Sequence, residues 1–421
     1  MREKISSIIN TDTFKHTGLV TSATAINGIL GFIFFWLLAC IFSPSILGTF
    51  TVAITAAGLI TDISTIGTDT GVVNFVGRFI KTDKDKALRF LKLAFEIKVL
   101  VAIVVVILGW FLVPQIAIHI FNKQELIVPL RFSLFASVSL LLFGFSTSSL
   151  QSLQKFSVWG FVNIFANFGR LIFVYLIFIF GMLTLDSGLL VYIAIPFFAF
   201  LFSFIFLPNF LKIKNEKKVL PEFFHYNKWV AIFTLIAAVA SRLDMFLVTR
   251  LRSLNDVGIY SVAVTLSGVV PQLVAALGTV VAPKLAGMET KEKAILYLKK
   301  LQFFVTMLSI LGIVSGTIVG YFLIHKFYSA SYFNAFPSFV ILLIAQAIFL
   351  FSIPVHMAVI YYFSYPKLFV WISIVNVLIV AVGGYILISA YGFIGIAIAV
   401  LVGNVSNFII PAIWVVKKFK K

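Results

Sequence analysis

Apolar runs of about 20 residues, each closed by charged or turn residues, recur along the whole 421-residue chain, and that is the length a helix needs to cross about 30 Å of hydrocarbon. They predict twelve spans, near 17 to 42, 46 to 69, 89 to 113, 126 to 150, 157 to 181, 187 to 211, 228 to 250, 256 to 281, 300 to 324, 334 to 362, 366 to 389 and 392 to 416. None shows the ten-residue alternation of a membrane barrel strand, so the predicted elements are helices. The stretch 334 to 362 is too long for one straight span and contains Pro337 and Pro354. Each proline removes a backbone donor and crowds the preceding turn, so a kink or a re-entrant start near Phe333 is expected. The first apolar stretch, 19 to 42, is too long for a signal-peptide core and lacks a small-residue cleavage site, so it is expected to remain as the first span.

The pattern repeats. Leu47 to Gly58 (LGTFTVAITAAG) sets against Val257 to Gly268 (VGIYSVAVTLSG) at a constant offset of 210 positions, matching Gly48, Val52, Ala53, Thr55 and Gly58 with Gly258, Val262, Ala263, Thr265 and Gly268. Gly109-Trp-Phe-Leu112 likewise resembles Gly320-Tyr-Phe-Leu323. An even number of spans separates the copies, so both halves enter the membrane the same way, as a parallel repeat about an axis along the membrane normal. The expected fold class is an all-α polytopic membrane protein of two six-helix bundles, residues 1–211 and 228–421, joined by a cytoplasmic basic linker, 212–227. A cleft between two such bundles is the expected substrate path.

Composition agrees with this reading: 61% of residues are hydrophobic, 11% are charged, and mean hydropathy is +1.10. The single cysteine, Cys40, allows no intramolecular disulfide. The net charge of +18 is unevenly placed. The termini and even-numbered connections hold Arg2, Lys4, Lys15, Arg78, Lys81, Lys84, Lys155, Lys217, Lys218, Lys284, Lys367, Lys417 and Lys421 among others, whereas the odd connections hold Lys123, Arg250, Arg252 and Lys326. That bias, roughly six to one, puts both termini and the basic loops of a multi-pass membrane protein in the cytoplasm. The charge is therefore a topology signal with a secondary use on anionic headgroups, and no nucleic-acid partner is expected.

No zinc-ligand spacing, phosphate loop, dinucleotide fingerprint or nucleophile elbow occurs, and the odd connections are short, so neither catalytic residues nor a metal site nor a cofactor is expected. His225, His325 and His356 stand singly and read as packing or interfacial residues. Ionisable residues inside spans are expensive and so become the functional candidates. Counting about 1.5 Å per residue places Glu96, Lys98, Arg170, Arg242 and Asp244 at a shared depth near the midplane. Three cations against two carboxylates would leave a positive layer. Arg242 and Asp244 point about 200° apart on one helix and are not expected to neutralise each other. Lys92 and Glu96 form an ordinary i, i+4 pair, and register-fixing ion pairs remain the alternative for every member of the set. Asp62 and Asp69 lie on the second span, with Arg78 or Lys81 as an alternative partner for Asp69; Asp62 falls opposite Gln272 of the other copy, which suggests a proton or cation site.

Arg242-Leu-Asp244, Asp256-Val-Gly-Ile-Tyr-Ser-Val-Ala263, Val281-Ala-Pro-Lys-Leu285 and Tyr391-Gly-Phe-Ile-Gly-Ile-Ala-Ile-Ala399 together resemble signatures of the bacterial polysaccharide flippases of O-antigen and capsule pathways. Leu47-Gly-Thr-Phe50 followed by Ile66-Gly-Thr-Asp-Thr-Gly71 is similar to their opening pair. Many relatives carry an arginine where this chain has Asn74, with Arg78 one turn later, so no cationic site is carried over to Asn74. The resemblance places the chain in the multidrug/oligosaccharidyl-lipid/polysaccharide exporter superfamily. It implies translocation of undecaprenyl-diphosphate-linked oligosaccharide, with the bilayer and other polysaccharide-assembly membrane proteins as partners. Arg242, Arg170 and Lys98 become the substrate-binding candidates, and Asp62 and Asp244 the ion-coupling ones, for a proton or sodium ion. A lipid II or multidrug exporter is the alternative within transport. A membrane glycan polymerase is the alternative outside it, and would need a sizeable periplasmic loop.

Reporter fusions test the topology: cytoplasmic activity is expected after Lys421 and inside residues 212–227, and a periplasmic Lys421 would set the charge bias against the duplication.

Overall fold

The computed structural model of the chain describes residues 12–214, 219–288, 290–365 and 367–420, and every regular element among them is helical. Among the described residues eleven helices are long and apolar enough to cross a membrane, or twelve if the bent segment within Val219–Ala240 is one span. The chain is an all-α polytopic membrane protein. Arg2, Lys4, Lys217, Lys218 and Lys421 of the charge pattern lie outside the described residues.

Packing groups the chain into two units, Met1–Leu37 with Val52–Arg242, and Leu38–Thr51 with Leu243–Lys421. The first holds most of α1 (Asp12–Ile41) and α2 (Pro44–Ser64), then α3 (Thr68–Phe79), α4 (Lys84–Gln115), α5 (Ile127–Ser152), α6 (Phe156–Ile179), α7 (Leu185–Ser203) and α8 (Val219–Ala240). Caps set several boundaries. Asp83 accepts from the Lys86 amide at 3.0 Å at the head of α4, and Thr184 and Ser187 form a reciprocal capping box at the head of α7. The second unit holds α9 (Leu243–Leu251), α10 (Leu254–Ser267), α11 (Val269–Ala286), α12 (Lys291–Phe327), α13 (Ala335–Phe351), α14 (Ile353–Met357), α15 (Lys367–Leu378), α16 (Gly384–Tyr391) and α17 (Phe393–Lys420). The helix expected to kink is interrupted at Ser352, just before Pro354, and α14 leads into a wider turn at Ala358–Tyr362.

These units are cut differently from the halves 1–211 and 228–421, and side-chain burial supplies the reason. Phe223 of α8 is buried against Phe75 of α3 and Phe90 of α4, with ring centroids 5.9 and 6.0 Å away, which ties α8 into the aromatic core of the first unit. The stretch Leu38–Thr51 is held in the second unit by the buried Tyr332, whose hydroxyl donates to the Phe42 carbonyl at 2.8 Å. A second departure concerns the span expected over 46 to 69. It ends at Ser64, because Ile66 and Gly67 take left-handed backbone angles (φ 46° and 72°) and a new helix starts at Thr68. Asp62 and Asp69 therefore sit on different helices and meet different partners.

The duplication is visible in the packing. In the first unit α4 lies along α5 and α5 along α7; in the second α12 lies along α13 and α13 along α17. Gly109 of α4 meets Leu134 of α5, and its mate Gly320 of α12 meets Phe339 of α13. Most telling, the paired glycines Gly48 and Gly258 touch each other. A Cβ on Gly48 would overlap the Leu254 carbonyl, and one on Gly258 would overlap the carbonyl of Pro44, the residue that matches Leu254 in the repeat. Each copy thus contacts the other through equivalent residues, as across a two-fold axis, and only glycine lets the backbones approach so closely.

Gly48→Ala and Gly258→Ala are each expected to cost about 1–3 kcal/mol, as overpacking against backbone does, and to lower the thermal midpoint of the purified protein. Gly28→Ala, with nothing within 4 Å of the added carbon, is the matched control and should be silent. Equal midpoints for Gly258→Ala and Gly28→Ala would show that the two copies do not meet at this crossing.

Candidate functional site

A break in the seventh membrane segment presents Arg242. α8 ends at Ala240 and α9 starts at Leu243, so carbonyls of the last α8 turn lose their helical partners. Arg242 Nη1 takes one of them, donating to the Ala238 carbonyl at 3.1 Å and to Ser241 Oγ at 3.3 Å. Arg242 Nη2 reaches Asp62 Oδ2 of α2 at 2.7 Å. Gly58, one turn before Asp62, leaves room for the guanidinium; a Cβ there would stand 3.0 Å from Nη2. The two side chains keep 21% and 42% of their surface exposed and meet through one oxygen. Held through one oxygen, the pair lacks the second hydrogen bond of a bidentate arginine–carboxylate fork.

Lys98 has the opposite environment. It is completely buried, and its ammonium donates to Asp69 Oδ1 at 2.7 Å and to the Leu141 carbonyl at 3.1 Å. Ser148 Oγ donates to the same Asp69 oxygen at 2.9 Å. This cluster ties α3, α4 and α5 together. Lys98, expected among the substrate-binding cations, is enclosed in this ion pair, and Asp69 pairs with it rather than with Arg78 or Lys81. Lys98 is the fully buried member and Asp69 keeps 31% of its side-chain surface, so removing Asp69 is the change that strands a buried charge, at a cost of about 3–5 kcal/mol.

Asp244 opens α9 in the second unit, where the helix N-terminus favours a carboxylate, and Tyr260 of α10 donates its hydroxyl to Asp244 Oδ2 at 2.9 Å. Among the described residues Arg242 pairs with Asp62, and Asp244 accepts from Tyr260. Arg170 of α6 places its guanidinium carbon 4.4 Å from the centroid of the Tyr192 ring, and its Nε–H is buried without an acceptor. Among the described residues no carboxylate pairs with it and no contact joins it to Arg242. The expected positive layer is thus resolved into two neutralised cations, Arg242 and Lys98, and one unneutralised, Arg170. Glu96 stands 3.9 Å from Lys92 and is 43% exposed, an ordinary helix-surface pair. His356 lies 2.9 Å from the Asn407 carbonyl and against the Phe369 ring, which is a packing role. Among the described residues no cluster of His, Cys, Asp and Glu could hold a metal ion.

Residues 14–289 match the family described as polysaccharide biosynthesis protein. The chain belongs to that family. Solved structures show the fold it shares. The inward-facing conformation of a multidrug resistance MATE family transporter of the MOP superfamily aligns with TM-score 0.69 and 14% identity, covering 95% of this chain and 94% of that one. The lipid II flippase MurJ, in an inward closed conformation, aligns with TM-score 0.69 and 19% identity over 95% of this chain and 89% of its own. A MATE transporter from Vibrio cholerae aligns with TM-score 0.61 and 14% identity over 96% and 98%. Among curated proteins no relative matches in sequence.

In this member of the family the partners that decide each charge lie far away in sequence. Ser148 is 79 positions from Asp69, and Asp62 is 180 from Arg242. No local spacing announces such contacts. Arg131 of α5, whose guanidinium carbon lies 4.2 Å from the Trp110 ring centroid, is a further intramembrane cation that the depth count left out.

The contrast in burial makes a prediction. Asp69→Leu should lower the thermal midpoint and membrane abundance far more than Arg242→Met, and Asp69→Leu with Lys98→Met should recover much of the loss, since the double variant leaves no lone buried charge. Equal loss in single and double variants would show that the ion pair is not what Asp69 contributes.

Proposed function

We propose that the protein translocates undecaprenyl-diphosphate-linked oligosaccharide, an O-antigen or capsule repeat unit, across the bacterial inner membrane by alternating access, with both termini cytoplasmic. Membership of the polysaccharide biosynthesis family and the fold shared with transporters support the reading. The observation that carries it is Arg242: a guanidinium fork at a helix break inside the membrane, partly exposed, with a single carboxylate oxygen on it. A diphosphate presents oxygens that match the remaining donors and outcompetes one loosely held carboxylate. Asp62 then supplies the coupling. When it takes up a proton or a sodium ion it no longer holds Arg242, so ion entry favours substrate capture and ion release favours substrate departure. Asp244, held by Tyr260, is the second carboxylate available to the cycle.

A lipid II or multidrug exporter is the second reading, because the multidrug transporter and the lipid II flippase align equally well, each at TM-score 0.69. Deleting the gene and identifying the lipid-linked oligosaccharide retained in the cytoplasmic leaflet separates the two.

The binding claim is tested in reconstituted vesicles. Arg242→Gln should abolish export per folded molecule, and Arg242→Lys should keep only part of it, having the charge without the fork. Asp62→Asn should raise pyrophosphate affinity by up to about fivefold, the equivalent of the pair's roughly 1 kcal/mol, and make export independent of the ion gradient. Normal specific export by Arg242→Gln would remove this residue from the binding site.

A further inference from the structure

Arg170 ends a polar stripe. α6 carries Asn163, Asn167 and Arg170 at i, i+4 and i+7, which a helix turning about 100° per residue places on one face. The opposite face carries Phe161, Phe165, Phe168, Ile172 and Ile179, all exposed, and is the side suited to lipid. The amides and the guanidinium therefore turn inward. There Asn167 Nδ2 donates to Asn27 Oδ1 of α1 at 3.0 Å and to the Asn163 carbonyl at 3.2 Å, while Asn163 Nδ2 donates to the Trp159 carbonyl at 2.8 Å. The side-chain Oδ1 atoms of Asn163 and Asn167 accept no hydrogen bond among the described residues. At about 1.5 Å per residue, Arg170 lies about 21 Å along a helix of about 36 Å, too deep to reach water by extending along the helix.

A charged group far along its helix with no carboxylate among the described residues, its guanidinium carbon 4.4 Å from the Tyr192 ring centroid and its buried Nε–H unused, has the donors to take an anion. The composition of the stripe says which anion. One guanidinium balances the single charge of a carboxylate through two parallel hydrogen bonds, whereas a diphosphate brings about two charges and the stripe offers it no second cation. The two free amide oxygens can accept from hydroxyl groups but repel phosphate oxygens.

We propose that Arg170, Asn163 and Asn167 form a subsite for an acidic sugar in the glycan head, with Arg170 on the carboxylate and the amide oxygens on neighbouring hydroxyls. This rests on the reading of the protein as a carrier of lipid-linked glycan, and it separates sugar recognition at Arg170 from diphosphate recognition at Arg242. The full-length protein in lipid nanodiscs is titrated with a glucuronyl disaccharide, its neutral glucosyl counterpart and inorganic pyrophosphate, with binding followed by saturation-transfer NMR and folding by thermal midpoint. The glucuronyl disaccharide should bind at least about tenfold more tightly than the neutral one, the worth of a charge-assisted pair. Arg170→Gln should erase that preference, Arg170→Lys should keep part of it, and Asn167→Leu should weaken both sugars. Arg242→Gln should leave the glucuronyl affinity within twofold while losing pyrophosphate, so failure of the diphosphate reading and failure of this one are told apart. An unchanged acid preference per folded molecule in Arg170→Gln overturns the proposal, since Arg170 would then only pack on Tyr192. Loss of pyrophosphate binding in that variant, with no acid preference in the parent, overturns it in favour of a phosphate site.

Discussion

An ionised side chain inside a hydrocarbon layer must be paired, solvated or used, because each lone charge there costs several kcal/mol. That constraint organises this protein's polar interior. Lys98 is satisfied by Asp69 and by the Leu141 carbonyl, Ser148 donates in turn to Asp69, and the result cross-links three helices. Because Lys98 is fully buried, while Asp69 keeps 31% of its side-chain surface, the lysine cannot leave this carboxylate without stranding its charge. It acts as a fixed joint.

The Arg242–Asp62 pair obeys the same constraint in a looser way. The helix break gives the guanidinium a backbone acceptor as well as a carboxylate, so its charge is met without being enclosed. Partial exposure and contact through one oxygen leave this pair less enclosed than the one at Lys98, which is the property the proposed anion site requires. Arg170 is the third case, a cation over an aromatic face with no carboxylate partner among the described residues. The three cations thus divide into one enclosed in an ion pair, one in a partly exposed pair and one without a carboxylate among the described residues, and burial and partner geometry decide which is which.

The duplicated glycines show a comparable economy in the backbone. Gly48 and Gly258 are equivalent in the repeat and meet each other, so one small residue type, used twice, makes a close backbone crossing. The aromatic core of the first unit does the reverse for α8: Phe223 ties a helix that begins the second sequence half to the first packed unit. Sequence repeat and packing unit therefore do not share a boundary.

The sequence by itself determined the membrane class, the helical elements, the duplication and the short set of intramembrane charges, because bilayer thickness and the cost of burying charge act on residues one at a time and leave a one-dimensional trace. The Asn163, Asn167 and Arg170 spacing was readable in the same way, being local to one helix. Partner choice was decided only in the tertiary structure. Asp62 and Asp69 look alike along the chain, but the left-handed turn at Ile66 and Gly67 sends one to Arg242 and the other to Lys98. Asp244 finds Tyr260 through the crossing of α9 and α10. Such contacts join residues tens to hundreds of positions apart, and whether a charge is spent on the fold or free for a ligand depends on them and on burial, neither of which periodicity records.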